Sequence, residues 1–167
     1  MPDVAIRAAE PRDLEPLARL YDHYIENTAI TFDIEPYGTE GRRPWFESFA
    51  TTGPHRLVVA DADGLAVGYA SSQTFRAKAA YATSVETSIY LDPAWTGRGV
   101  GVRLYSALFE ILAGEDVHRA YAGVTLPNDA SIVLHERFGF ERVGVFREVG
   151  RKNGEYWDVA WFEKPLR

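Results

Sequence analysis

The residues most suited to chemistry in this chain fall into a glycine run, a carboxylate and a basic pair. Gly97-Arg98-Gly99-Val100-Gly101 lies between a strand-like and a helix-like segment. Glycines there let main-chain N–H groups approach an anion closely, and a helix N-terminus adds a field that favours phosphate. The plain alternative is a tight turn. Neither familiar nucleotide pattern fits. The dinucleotide fingerprint wants a third glycine three residues after the second, but Val102 and Leu104 hold the candidate places. A P-loop wants Lys-Ser/Thr where Val102-Arg103 stands. A pyrophosphate cradle of a third type is the better reading. Glu86 offers a carboxylate that, beside an amine and directly or through one water, serves as a general base. Its plain reading is a surface glutamate on a strand. Arg76 and Lys78 are expected at the end of a strand, two residues apart and so on one face. They carry the charge to grip an anionic group, or simply to keep a strand end in water. His23, His55 and His118 are scattered without ligand-like spacing, so no metal site is expected.

Composition narrows the chemistry further. The 167 residues include no cysteine, which removes disulfides, thiolate nucleophiles and Cys-type zinc sites. The 24 acidic against 18 basic side chains give a formal charge of -6, which argues against a nucleic-acid partner. No stretch approaches the roughly 20 apolar residues of a membrane span. Met1-Pro2-Asp3-Val4 lacks the basic and apolar regions of a signal peptide, so a cytoplasmic location is expected. The length suits one domain over residues 1–167. Aromatic residues make up 13%, the least average figure in the composition.

Elements that would position these residues can be read from periodicity. Val4 to Arg7 reads as a strand, and Glu10-Pro11-Arg12-Asp13 starts a helix carrying Leu14, Leu17, Tyr21 and Tyr24. Trp45, Phe46 and Phe49 suggest a shorter helix after Pro44, which leaves a long loop from Asn27 to Thr39. Arg56 to Ala60 and Leu65 to Phe75 form a hairpin about Asp61-Ala62-Asp63-Gly64. Val85 to Leu91 is a strand, and Val100, Leu104, Leu108 and Ile111 line a helix. Arg119 to Val124 is a strand, followed by a helix that Asn128 caps and Gly139 ends. Glu141 to Arg151 and Glu155 to Glu163 flank Asn153-Gly154, a strong hairpin signal. The order predicts an α+β (mixed α/β) fold with a central, mostly antiparallel twisted sheet flanked by helices.

The segment Ser88-Ile89-Tyr90-Leu91-Asp92-Pro93, the glycine run, Asn128-Asp129-Ala130-Ser131 and Phe138-Gly139-Phe140 resemble the GCN5-related N-acetyltransferase (GNAT) superfamily. More narrowly, the chain is similar to the phosphinothricin/methionine sulfoximine acetyltransferase family. That match rests on His23-Tyr24-Ile25-Glu26, Phe32, Arg76 to Tyr81, Val85-Glu86-Thr87-Ser88 and Leu126-Pro127-Asn128-Asp129, continued by His135-Glu136 and Trp157-Asp158-Val159. The resemblance implies the GNAT acyl-CoA N-acyltransferase fold, acetyl-CoA as cosubstrate, no metal and a homodimer. It implies a cofactor set of Ile89, Tyr90, Leu91, Thr96, Gly97, Arg98, Gly99, Val100, Gly101, Asn128 and Ser131. Main-chain N–H at Ile89 would face the acetyl carbonyl, and Leu91 would contact pantetheine. Thr96 stands where the superfamily's Gln/Arg-x-x-Gly-x-Gly/Ala loop has Gln or Arg. Glu86 matches the family's general base. His135 occupies the place where many superfamily members put a tyrosine, the candidate general acid, while Tyr105 reads as packing. Phe32, Arg76, Lys78 and Tyr81 would face the acceptor. Arg76 and Lys78 look swapped in order relative to the family, and Asp33 stands where relatives can carry a basic residue.

The activity implied is transfer of acetyl from acetyl-CoA directly to the amino group of a small amino-acid-like substrate of methionine sulfoximine, methionine sulfone or phosphinothricin type. With no cysteine, a covalent thiol intermediate is excluded. Two alternatives remain open at this point: a peptide or protein N-acetyltransferase on the same scaffold, and a non-catalytic acetyl-CoA-binding module.

Overall fold

The computed structural model describes residues 3–167; Met1 and Pro2, part of the segment read for a targeting signal, lie outside them. The elements in chain order are β1 (Val4–Ala8), α1 (Leu14–Asn27), α2 (Gly38–Glu47), β2 (Leu57–Ala62), β3 (Leu65–Thr74) and β4 (Ser84–Leu91). They continue with α3 (Val100–Ala113), β5 (Arg119–Thr125), α4 (Asp129–Arg137), β6 (Glu141–Lys152) and β7 (Glu155–Pro165). The strands form a seven-stranded sheet in the order β1-β2-β3-β4-β5-β7-β6. Every neighbouring pair is antiparallel except β4 and β5. The mixed, mostly antiparallel sheet read from the sequence is therefore the one observed.

Each sheet face carries its own apolar layer. On one, Val85, Ala120, Ala122 and Phe162 meet Val100, Leu104, Tyr105, Leu108 and Leu112 of α3, a helix whose apolar positions recur three and four apart. On the other, Val59 and Tyr69 meet Leu17 and Leu20 of α1, with Trp45, Phe46 and Phe49 against them. Side chains alternate along β4. Val85, Ile89 and Leu91 thus join the α3 layer, while Tyr90 joins the α1 layer and Glu86 shares its face.

The second helix departs from the sequence reading. It starts at Gly38, with Pro44 inside it, rather than after Pro44. The cause lies in another element: the Asp22 carboxylate of α1 accepts hydrogen bonds from the main-chain N–H groups of Tyr37 and Gly38, both at 2.8 Å. That satisfies N-terminal donors which no local side chain caps. Pro44 faces solvent, where water can serve the carbonyl left without its N–H partner. The connection from α1 to α2 is consequently only residues 28–37, a strap across one end of the sheet. β3 also ends one residue early, at Thr74, so Arg76 and Lys78 lie in the following loop and strand alternation does not set their directions.

Candidate active site

β4 and β5 are paired only over Ser84–Glu86 and Arg119–Tyr121. Beyond Glu86 they diverge, while β4 stays paired with β3 as far as Leu91. The split opens a cleft of about 650 Å³. Antiparallel pairing fixes what faces it. Asp92 N–H donates to Val67 O at 2.8 Å, so residues 92, 90, 88 and 86 bond back towards β3. The peptide groups of Ile89 and Leu91 consequently turn towards the gap. Leu91 O is engaged there by the Tyr24 hydroxyl at 2.6 Å, leaving the two N–H groups as the donors on that edge.

The glycine run closes one end of the cleft. Gly97 and Gly99 have φ of +70° and +76°, the left-handed region where a side chain is strained. Gly99 immediately precedes α3, whose first-turn N–H groups therefore open into the same cleft. Gly101 lies close under Leu134, Leu91 and Ile89. Thr96 also lines the cleft, but its hydroxyl donates to Pro93 O at 2.9 Å. Arg98 places its guanidinium 5.4 Å from the Trp95 ring centroid. Asn128 caps α4 by accepting from Ser131 N–H at 3.2 Å, which sets both residues on the cleft wall.

The proton-bearing groups sit at the other end. Glu86 is half-buried, and loss of water raises its pKa while the positive charge of Arg76 lowers it. The cleft lining stops one residue short of it, at Thr87. Beside Glu86 in register is Tyr121, whose ring stacks on Phe75 at 4.3 Å. Tyr81 and Trp161 meet Phe75 edge-on at 6.0 and 6.3 Å, and Arg76 lies over Phe75 at 4.5 Å. Arg76, Lys78 and Tyr81 are exposed. Phe32 lies away from the cleft lining, with its ring against Gly150.

His135 is buried at 3% exposure and lines the cleft with Tyr105. Its Nδ1 lies 2.7 Å from Ser131 O, a pure acceptor, so Nδ1 carries the proton. Nε2 then accepts from the Tyr105 hydroxyl at 2.9 Å. Burial lowers the His135 pKa, so the ring is neutral near pH 7. Tyr105, read as packing, is thus the hydroxyl partnered to His135. Periodicity along α3 marks it only as a core position. The aromatic group of Phe75, Tyr121 and Trp161 beside Glu86 was equally absent from the sequence reading, because their common face follows from the pairing of β4, β5 and β7. Among the described residues no group of three or more His, Asp or Glu side chains is placed to hold a metal ion, and no helix is long and apolar enough to cross a membrane.

A splayed parallel seam, strand N–H groups facing the gap and a glycine turn feeding a helix N-terminus define a cleft suited to an acyl carrier with an anionic tail. The acetyltransferase (GNAT) domain model matches residues 6–161, and the chain belongs to that family of acetyltransferases. A phosphinothricin N-acetyltransferase from Streptomyces coelicolor is 57% identical over 98% of this chain and 97% of its own length. An L-methionine sulfoximine/L-methionine sulfone acetyltransferase from Pseudomonas aeruginosa is 34% identical, covering 97% of this chain and 94% of that protein. The crystal structure of a GNAT superfamily phosphinothricin acetyltransferase from Sinorhizobium meliloti in complex with AcCoA superposes with a TM-score of 0.91. It is 31% identical and covers 98% of this chain and 88% of that one.

Proposed function

We propose that residues 1–167 act as one acetyltransferase domain that moves acetyl from acetyl-CoA to the α-amine of a small amino acid of methionine sulfoximine, methionine sulfone or phosphinothricin type. The observation that carries this reading is the divergence of β4 from β5 immediately past Glu86, which sets a half-buried carboxylate beside a cleft edged by free strand donors. The left-handed Gly97 and Gly99, the open first turn of α3 and Gly101 on the cleft wall fit a pyrophosphate and a pantetheine arm. Thr96, Val100, Asn128 and Ser131 complete that wall, and Arg98 stands beside it on the turn, near Trp95. Acetyl-CoA supplies a thioester carbonyl open to nucleophilic attack.

In this reading Glu86 takes the proton from the incoming ammonium, directly or through one water, and the N–H of Ile89 stabilises the charge that develops on the carbonyl oxygen. Desolvation raises the basicity of Glu86 towards that task. Arg76 holds the acceptor's acidic end, with Lys78 and Tyr81 at the rim. The proton returned to sulfur comes from the Tyr105 hydroxyl, which the neutral His135 ring orients through Nε2, and the tyrosinate left behind, disfavoured by burial, regains a proton from solvent. A homodimer in the cytoplasm remains part of the reading on the strength of the family.

The experiment is thiol release from acetyl-CoA with methionine sulfoximine, methionine sulfone, phosphinothricin, polyamines and a short peptide. The expected result is turnover of one or more of the first three. Turnover of the peptide alone would favour a protein acetyltransferase. Tight acetyl-CoA binding without turnover of any amine would favour a binding module.

A further inference from the structure

The strap of residues 28–37 is held from the opposite half of the sheet by a buried lysine. Lys152, the last residue of β6, is only 5% exposed, unusual for a side chain that is almost never buried without a partner. Its Nζ donates to the main-chain Thr31 O at 2.8 Å. The preceding carbonyl, Ile30 O, accepts from Thr125 Oγ1 of β5 at 3.3 Å. Two consecutive strap carbonyls are therefore pinned by side chains from beyond the split. From the α1 side, the Tyr21 hydroxyl meets Thr31 Oγ1 at 2.7 Å and Asp33 Oδ2 at 2.5 Å. Phe32 seals the contact: a Cβ built on Gly150 would stand 2.2 to 2.6 Å from its ring. This fixation presents Ile30 to the cleft, where it lines the wall with Tyr24 while remaining 39% exposed.

We propose that Lys152 is a positioning residue for the amine acceptor, holding Ile30 as the wall that limits the size of the amine admitted. The proposal rests on the acetyltransferase reading above and adds to it a specificity element outside the reacting groups. Lys152 touches neither the reacting atoms nor the cleft lining; it acts through Thr31 and Ile30.

The test pairs kinetics with hydrogen exchange. Lys152→Met is expected to raise the acceptor KM about tenfold, with kcat and the acetyl-CoA KM within about twofold, and Lys152→Arg to restore most of the difference. Ile30→Ala should shift the kcat/KM ratio of large over small free amino acids upwards. Gly150→Ala, which displaces Phe32 and leaves Lys152 in place, should move the acceptor KM in the same direction and serves where Lys152→Met does not fold. Amides of residues 28–33 should exchange faster in Lys152→Met. An unchanged acceptor KM with unchanged exchange would overturn the proposal, as would equal losses in every parameter. Failure of the wild type to acetylate any amine would instead sink the functional reading, and the exchange experiment would still report on the strap.

Discussion

Glu86 is placed so that activity and stability pull against each other. A carboxylate that gives up water gains basicity, and the folded state bears the cost of keeping it charged. Glu86→Gln keeps the shape and removes both effects. Turnover should fall roughly 10²–10⁴-fold while acetyl-CoA binding persists. The same variant should melt at a higher temperature than the wild type at pH 7.5, because the desolvated charge is gone. Steady-state kinetics across pH and a thermal melt on one preparation check both halves. Full activity across pH would remove Glu86 as the base. A lower melting temperature would mean that its carboxylate holds the fold together through contacts other than those seen around β4.

Among the elements, the glycine turn before α3 makes a graded prediction. Gly97 and Gly99 need left-handed backbone, which costs a residue with a side chain about 1–2 kcal/mol. If the turn relaxes to escape that strain, its N–H groups leave the cleft. Gly97→Ala and Gly99→Ala should then raise the acetyl-CoA KM about tenfold, the equivalent of about 1.4 kcal/mol. Gly101→Ala should be tolerated, since the added carbon would meet Leu134, Leu91 and Ile89 at ordinary contact distances of 3.5 to 3.7 Å. Equal effects at all three positions would mean that the glycines matter for packing alone. This turn was legible in the sequence because its signals are local, as were the two hairpins and the α3 stripe. α2 was not, because the cap that starts it at Gly38 is Asp22 from another helix. Arg76 and Lys78 were misplaced on a strand because β3 stops at Thr74, where its pairing with β4 ends. Phe32 was read as acceptor wall, and only the β6–β7 hairpin folding over it places it against Gly150. Local chemistry could be read; contacts made between distant segments could not.

At the scale of the whole molecule, the split that makes the cleft also makes the fold sensitive to acid at one point. His135 lies beneath it, between the Tyr105 hydroxyl and the Ser131 carbonyl, with Phe140 and Phe162 against its ring. Burial depresses its pKa below the ordinary value near 6.5. In the unfolded chain the ring binds a proton as pH drops through 6.5, whereas the folded protein resists it until lower pH. The unfolded state therefore holds more protons in that interval, and stability falls as pH falls. Glu86 has the opposite sign: its raised pKa makes the folded state the stronger proton binder, so its contribution is present at low pH and lost as pH rises past the ordinary carboxylate range. The two act in different windows and can be separated. Between pH 7.5 and 5.5 the urea midpoint of the wild type should drop, and His135→Gln should show a shallower slope even though its absolute midpoint is lower. Glu86→Gln should steepen the fall of stability towards acid just above the ordinary carboxylate range, because the opposing contribution is gone, and leave the neutral slope alone. A His135→Gln slope parallel to the wild type's would show that the histidine takes up its proton without cost in the folded state. The ring would then charge as pH falls through the ordinary histidine range near 6.5, and the neutral Nε2 acceptor that orients the Tyr105 hydroxyl would be lost over that range.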